Sequence, residues 1–169
     1  MQHERSARSG LGYRAGRPRR VVRVGSDVAP TVLVVDDDPV WRATLGDWLA
    51  HEGFHVVELS RGEAVPPAVE VYRPAVVILD KHLQGWDGLA LLGFLQHRWP
   101  TLPIVLMTAF GEPGLADRAR RLGAASYLDK PFRVNDLVRE VRRVAEVAGA
   151  ERGTIGRRQD RRRPEERRR

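Results

Sequence analysis

The run Thr31-Val32-Leu33-Val34-Val35-Asp36-Asp37-Asp38-Pro39 decides the architecture. Four of its first five residues are β-branched, which favours extended backbone. Three carboxylates and a proline follow at once. An aspartate ahead of a proline is a helix start, because the carboxylate caps free N–H groups and proline fits the first helical turn. Trp41, Leu45, Trp48 and Leu49 then recur at helical spacing, and Gly53 closes the segment. Strand, acidic turn and helix are thus written in a single stretch.

The same unit repeats downstream. His55–Leu59 reads as a second strand. Ser60 and Glu63 form a capping-box pattern, yet Pro66 and Pro67 fall inside the expected second helix, which must be kinked, shortened or started late. Ala75–Leu79 is apolar throughout, as a strand buried on both faces is. A helix over Leu89–Arg98, a strand over Pro103–Met107, a helix over Leu115–Leu122 closed by Gly123 and a short strand over Ser126–Leu128 come next. A last helix over Val134–Val147 turns Val134, Leu137, Val138, Val141, Val144 and Ala145 to one face. Five alternations of strand and helix imply an α/β fold, a doubly wound parallel sheet with helices on both faces.

Charge divides the 169 residues into three parts. Residues 1–30 carry +5 and residues 149–169 carry +5, whereas residues 31–148 carry −3. The ends mix Arg with Ser, Gly and Pro and lack an apolar period, so they read as a basic disordered extension (1–30) and an arginine-rich disordered tail (149–169) around one domain (31–148). Solvated tails are the plain reading; contact with nucleic acid or with an acidic partner is the sharper one. No apolar run approaches the ~20 residues of a membrane span. With no cysteine in the chain there is no disulfide or thiolate chemistry, which fits a cytoplasmic protein.

On this frame Asp36–Asp38 follow the first strand, Asp80 the third, Thr108 the fourth, and Lys130 lies just beyond the fifth. Open parallel sheets bind ligands at the carboxyl ends of their strands, so these residues converge. Clustered carboxylates repel and invite a hard divalent cation such as magnesium. One carboxylate can then attack a phosphoryl donor, while a lysine and a hydroxyl steady the transferring oxygens. Of 29 basic residues only Lys81 and Lys130 are lysine, so position 130 calls for a compact ammonium. Lys81 itself reads as a solvated neighbour.

Four motifs stand in order: Val34-Val35-Asp36-Asp37-Asp38-Pro39, Leu79-Asp80 with Asp87-Gly88, Met107-Thr108-Ala109, and Tyr127-Leu128-Asp129-Lys130-Pro131-Phe132. Together they resemble the receiver domains of bacterial two-component response regulators, over roughly residues 31–147. The resemblance implies a flavodoxin-like sheet of order 2-1-3-4-5 and phosphoryl transfer from a sensor histidine kinase to Asp80. It implies Mg2+ held by Asp37, Asp80 and the backbone carbonyl of His82, with Asp36 acting through water. Thr108 and Lys130 would contact the phosphoryl oxygens, and the Lys130–Pro131 bond would be cis. Thr108 and Tyr127 would form the switch that reshapes the face of the fourth helix, fifth strand and fifth helix. His82 and Phe110 are candidates for tuning the lifetime of the phosphate.

Gln84 stands where such domains usually carry proline, so the stiffness of the loop after Asp80 is open. The lengths of the two tails leave no room for a helix-turn-helix output domain. The chain therefore reads as a stand-alone regulator that signals through a downstream effector, a homodimer or a phosphotransfer protein, rather than as an enzyme acting on a separate substrate. Two rivals are a receiver-like interaction module that is never phosphorylated and a hydrolase of the haloacid-dehalogenase type.

Overall fold

The computed structural model describes residues 29–109 and 111–160. Five parallel strands, β1 (Thr31–Val35), β2 (His55–Leu59), β3 (Val76–Asp80), β4 (Ile104–Thr108) and β5 (Ser126–Asp129), form a sheet of order β2-β1-β3-β4-β5. Helices α1 (Pro39–His51), α2 (Val65–Tyr72), α3 (Gly88–Arg98), α4 (Leu115–Arg121) and α5 (Val134–Asp160) connect and cover it. The strand order reverses beside β1 and β3, which places the carboxyl ends of both at the crevice.

Strand alternation divides the core in two. Val32, Val34, Val76, Ile78, Val105 and Met107 pack with Leu45 and Leu49 of α1 and with Leu137 and Val141 of α5. Leu33, Val35, Val77, Leu79, Ile104 and Leu106 pack instead with α2, α3 and α4, through residues such as Val69, Leu92 and Ala119. Every residue of β3 is buried: Val76–Leu79 as an unbroken apolar run requires, and Asp80 with them at the strand end. At about 25 cal/mol per Å² of apolar surface removed from water, these two clusters are the main source of stability.

The second helix starts late. A 3-10 turn over Gly62–Ala64 precedes it, and Pro66 and Pro67 occupy its first turn, where a missing N–H costs nothing. The Ser60–Glu63 box does not form: Arg61 sits at the cap of that turn with no side-chain bond. A second correction concerns α5, which runs past Val147 to Asp160, so the first twelve residues of the segment 149–169 are helical. Ala150, Glu151 and Arg152 are good helix formers, and each of Gly149, Gly153 and Gly156 sets back propagation by only about 1 kcal/mol relative to alanine. Residues 1–28 and 161–169 lie outside the described residues.

The loop after Asp80 is ordered without proline. His82–Leu83 and Trp86–Asp87 pair as a small antiparallel hairpin, and Gly85 takes φ 76° in its two-residue turn. Glycine supplies that positive φ at no steric cost. No helix among the described residues is long and apolar enough to cross a membrane.

Candidate functional site

Asp80 is the last residue of β3 and Thr108 the last of β4, while Asp36 follows β1 and Lys130 follows β5. β1 and β3 pair in parallel with Val35 opposite Leu79, so Asp36 and Asp80 come side by side one residue on. Both continue the alternation of Val34 and Ile78 and face the side of α1 and α5. Asp36 is 1% exposed, Asp80 5% and Thr108 0%. The Lys130 ammonium lies 2.7 Å from Asp36 Oδ2 and 3.1 Å from Asp80 Oδ1. Its backbone N–H donates to the Thr108 carbonyl at 2.7 Å, which fixes where the lysine leaves the sheet. The Lys130–Pro131 bond is cis.

The acidic turn is bound by its own backbone. Asp36 Oδ1 accepts from the Asp38 N–H at 2.9 Å, and Asp38 Oδ1 caps α1 by accepting from Val40 and Trp41. Arg42, which the sequence reading passed over, donates to the Asp36 carbonyl at 2.6 Å and pairs with Glu58 on β2 at 3.5 Å. Arginine four residues into a capped helix carries no signal that separates it from a solvated face.

Asp36, Asp37 and Asp80 each offer a carboxylate oxygen within 4.8 Å of the others. Asp80 Oδ2 accepts from the His82 N–H at 3.2 Å, whereas Oδ1 is buried, accepts no aligned hydrogen bond among the described residues and lies 3.1 Å from the Lys130 ammonium. Three hard oxygen donors and one unsatisfied buried oxygen are what a small divalent cation needs, so the residues fit a magnesium site.

Burial raises the Asp80 carboxyl above the ordinary aspartate range; the Lys130 charge pulls it back and Asp36 pushes it up. The folded metal-free protein therefore binds this proton more tightly than the unfolded chain does. Its stability falls as pH rises from the ordinary aspartate range through the raised value, and the loss persists above it. Asp80→Asn should melt at a higher temperature than wild type at neutral pH in chelator, with the two converging in acid. Parallel melting curves across that range check the sign, and a variant less stable at neutral pH would contradict it.

Tyr127 is half-buried against the α2–α4 side of the core, with its hydroxyl donating to Asp129 Oδ1 at 2.5 Å. Desolvation and the Asp129 carboxylate push its ionisation up to about 12, so it stays a neutral donor. It sits opposite Leu106 in the β4–β5 register, two residues before the end of β4 at Thr108. Phe110 lies outside the described residues.

Lys81 is not a solvated neighbour. It is 8% exposed, and its ammonium meets Glu112 Oε1 at 2.8 Å. One residue past Asp80, it projects to the opposite side of the sheet, where Leu83, Trp86, Leu89 and Arg118 line the same hollow. That hydrogen bond lowers the ionisation of Glu112 below the usual carboxylate range. The scarcity of lysine that singles out Lys130 applied equally to Lys81. Glu112→Gln should lower the melting temperature, because it strands a buried cation, while Lys81→Met/Glu112→Gln recovers the loss. Unchanged melting in the single variant would mean that the pair is inert.

A doubly wound sheet with a buried aspartate and a lysine converging at its carboxyl edge defines a class of acidic-pocket α/β domains. Within it, this chain belongs to the response regulator receiver domain family, whose description matches residues 32–142. It is 41% identical to the response regulator protein FleR of Pseudomonas aeruginosa over 118 residues, covering 70% of this chain and 25% of that protein. It is 34% identical to the transcriptional regulatory protein PdtaR of Mycobacterium tuberculosis, covering 63% of this chain and 52% of that one. The chain thus spans about a quarter to a half of the length of these two relatives. The receiver domain of NtrX from Brucella abortus superposes with a TM-score of 0.65 at 33% identity, covering 68% of this chain and 98% of that one. The receiver domain of a LuxO repressor protein from Vibrio parahaemolyticus gives a TM-score of 0.71 over 75% of this chain and 98% of that one; at 23% identity it supports the fold alone.

Proposed function

We propose that this domain works in the cytoplasm as the phosphoryl acceptor of a sensor histidine kinase, with Asp80 as the accepting residue. The observation that carries the reading is the Lys130 ammonium set between two buried carboxylates, 3.1 Å from Asp80 Oδ1 and 2.7 Å from Asp36 Oδ2. Structural ion pairs seldom bury two acids for one base, because the desolvation is not repaid.

An Asp80 carboxylate oxygen attacks phosphorus, the P–N bond to the kinase imidazole breaks, and the imidazole leaves with the electron pair and is protonated. Lys130 turns from Asp36 to the new phosphoryl oxygens, and the Thr108 hydroxyl donates from the neighbouring strand end. Magnesium bound by Asp37, Asp80 and the His82 carbonyl, with Asp36 acting through water, would neutralise the developing charge. Thr108 moving toward the phosphate frees the space into which Tyr127 turns, which reshapes the surface of α4, β5 and α5. That surface passes the signal to a downstream effector, to a second copy of the chain or to a phosphotransfer protein.

Phosphoramidate, a small N–P donor, tests the reading. Magnesium-dependent label that hydroxylamine removes identifies an acyl phosphate. Label that resists hydroxylamine, or no label on folded protein with magnesium, would overturn it and favour an interaction module that signals without phosphate.

A further inference from the structure

We propose that Trp41 is the positioning residue for Lys130, a seat that holds the ammonium over the acidic pocket while it exchanges one carboxylate for the phosphoryl group. The inference rests on the phosphoacceptor reading above and adds to it a residue outside the four motifs.

The contacts close into a ring. Lys130 Nζ bonds Asp36 Oδ2 at 2.7 Å, and Asp36 Oδ1 accepts from the Asp38 N–H at 2.9 Å. Asp38 Oδ1 accepts from the Trp41 N–H at 3.1 Å, and the Trp41 ring comes back under Lys130, its centroid 5.4 Å from Nζ. Phe132, two residues past the lysine, meets the same ring edge-on with centroids 5.5 Å apart and planes at 66°. The acidic turn, the helix cap, the indole and the lysine therefore support one another.

Hydrogen bonding does not explain an indole at this place. Trp41 Nε1 is buried and has no hydrogen-bond partner among the described residues. Burying an unpaired N–H is unfavourable, so the ring is held for its face and its volume. Indole offers the strongest cation–π surface of the aromatic side chains. A lysine on a four-carbon stem has many rotamers to lose, and Lys130 remains 17% exposed at its side chain. Its two carboxylate partners are the groups that catalysis draws away. The aromatic face attracts the ammonium without claiming a hydrogen from it, so the three N–H donors stay free to turn toward phosphoryl oxygens.

Two variants separate face from volume. Trp41→Leu keeps an apolar plug without the quadrupole, and Trp41→Phe keeps a smaller face. With acetyl phosphate and magnesium, Trp41→Leu should lower the maximal rate of adduct formation about fivefold, inside what a cation–π contact supports. Half-saturation by acetyl phosphate and by magnesium should not move, and Trp41→Phe should regain most of the rate. A second readout does not need phosphate: the full chain holds two lysines, so 13C-lysine labelling gives two side-chain signals, with Lys81 as internal reference. The Lys130 methylene protons should sit upfield in wild type and Trp41→Phe and return to the ordinary position in Trp41→Leu. Equal rates and equal lysine shifts in wild type and Trp41→Leu, or Trp41→Phe as impaired as Trp41→Leu, would overturn the proposal. A wild type that takes no phosphoryl group would sink the phosphoacceptor reading instead, with the lysine shifts still deciding the Trp41 contact.

Discussion

Lys130→Met is expected to destabilise the metal-free protein by about 3 kcal/mol at neutral pH, because it leaves two buried carboxylates facing each other with no counter-charge. Asp36 and Asp80 are 1% and 5% exposed, so water cannot screen them as it does a surface pair. Methionine fills the volume of the lysine stem, which makes the effect one of charge and not of a cavity. Urea unfolding in chelator measures it, and saturating magnesium should return much of the loss by binding the folded state alone. A loss below about 1 kcal/mol would place the pair among ordinary surface bridges. It would also remove the argument that this lysine is held at an energetic cost for a chemical purpose.

Gly88→Ala should cost a further large amount, about 3 kcal/mol, as overpacking against atoms that cannot yield. A Cβ at this position would lie 2.4 Å from the Asp80 carbonyl oxygen, 2.6 Å from Lys81 Cα and 2.8 Å from the Lys81 carbonyl oxygen. All three are backbone, and the Gly88 N–H already donates to Lys81 at 2.7 Å. Relief would require the end of β3 to shift, and Asp80 with it, so the variant should lose adduct formation together with stability. Gly93→Ala is the control. It lies on the same helix with only Leu122 Cδ2 at 3.5 Å in its way, and it should stabilise by up to about 1 kcal/mol through helix propensity. Equal melting of the two variants would mean that the clash at Gly88 is relieved cheaply.

The elements that sequence disclosed are those in which local preference and burial agree. β1 and β3 are apolar because both their faces are covered, and the Asp38–Pro39 start of α1 is written in two residues. Asp36, Asp80, Thr108 and Lys130 could be gathered because a parallel sheet sends every strand end to one edge. Contacts made across the fold by side chains of ordinary type had no such mark. Lys81 with Glu112, 31 residues apart, and Trp41 beneath Lys130 depend on which way a side chain turns at a strand end or a helix start. The length of α5 escaped for another reason. Its glycines and arginines have the composition of a loose tail, yet a helix already nucleated by packed turns extends at little cost.

The central claim is that Asp80 is a phosphoryl acceptor, and intact-protein mass tests it most directly. Wild type and Asp80→Asn would be incubated with acetyl phosphate, with and without magnesium, and weighed. A single phosphoryl adduct on wild type, dependent on magnesium and absent from Asp80→Asn, is the predicted result. An adduct that persists in Asp80→Asn, or none on wild-type protein that is folded and binds magnesium, would contradict it.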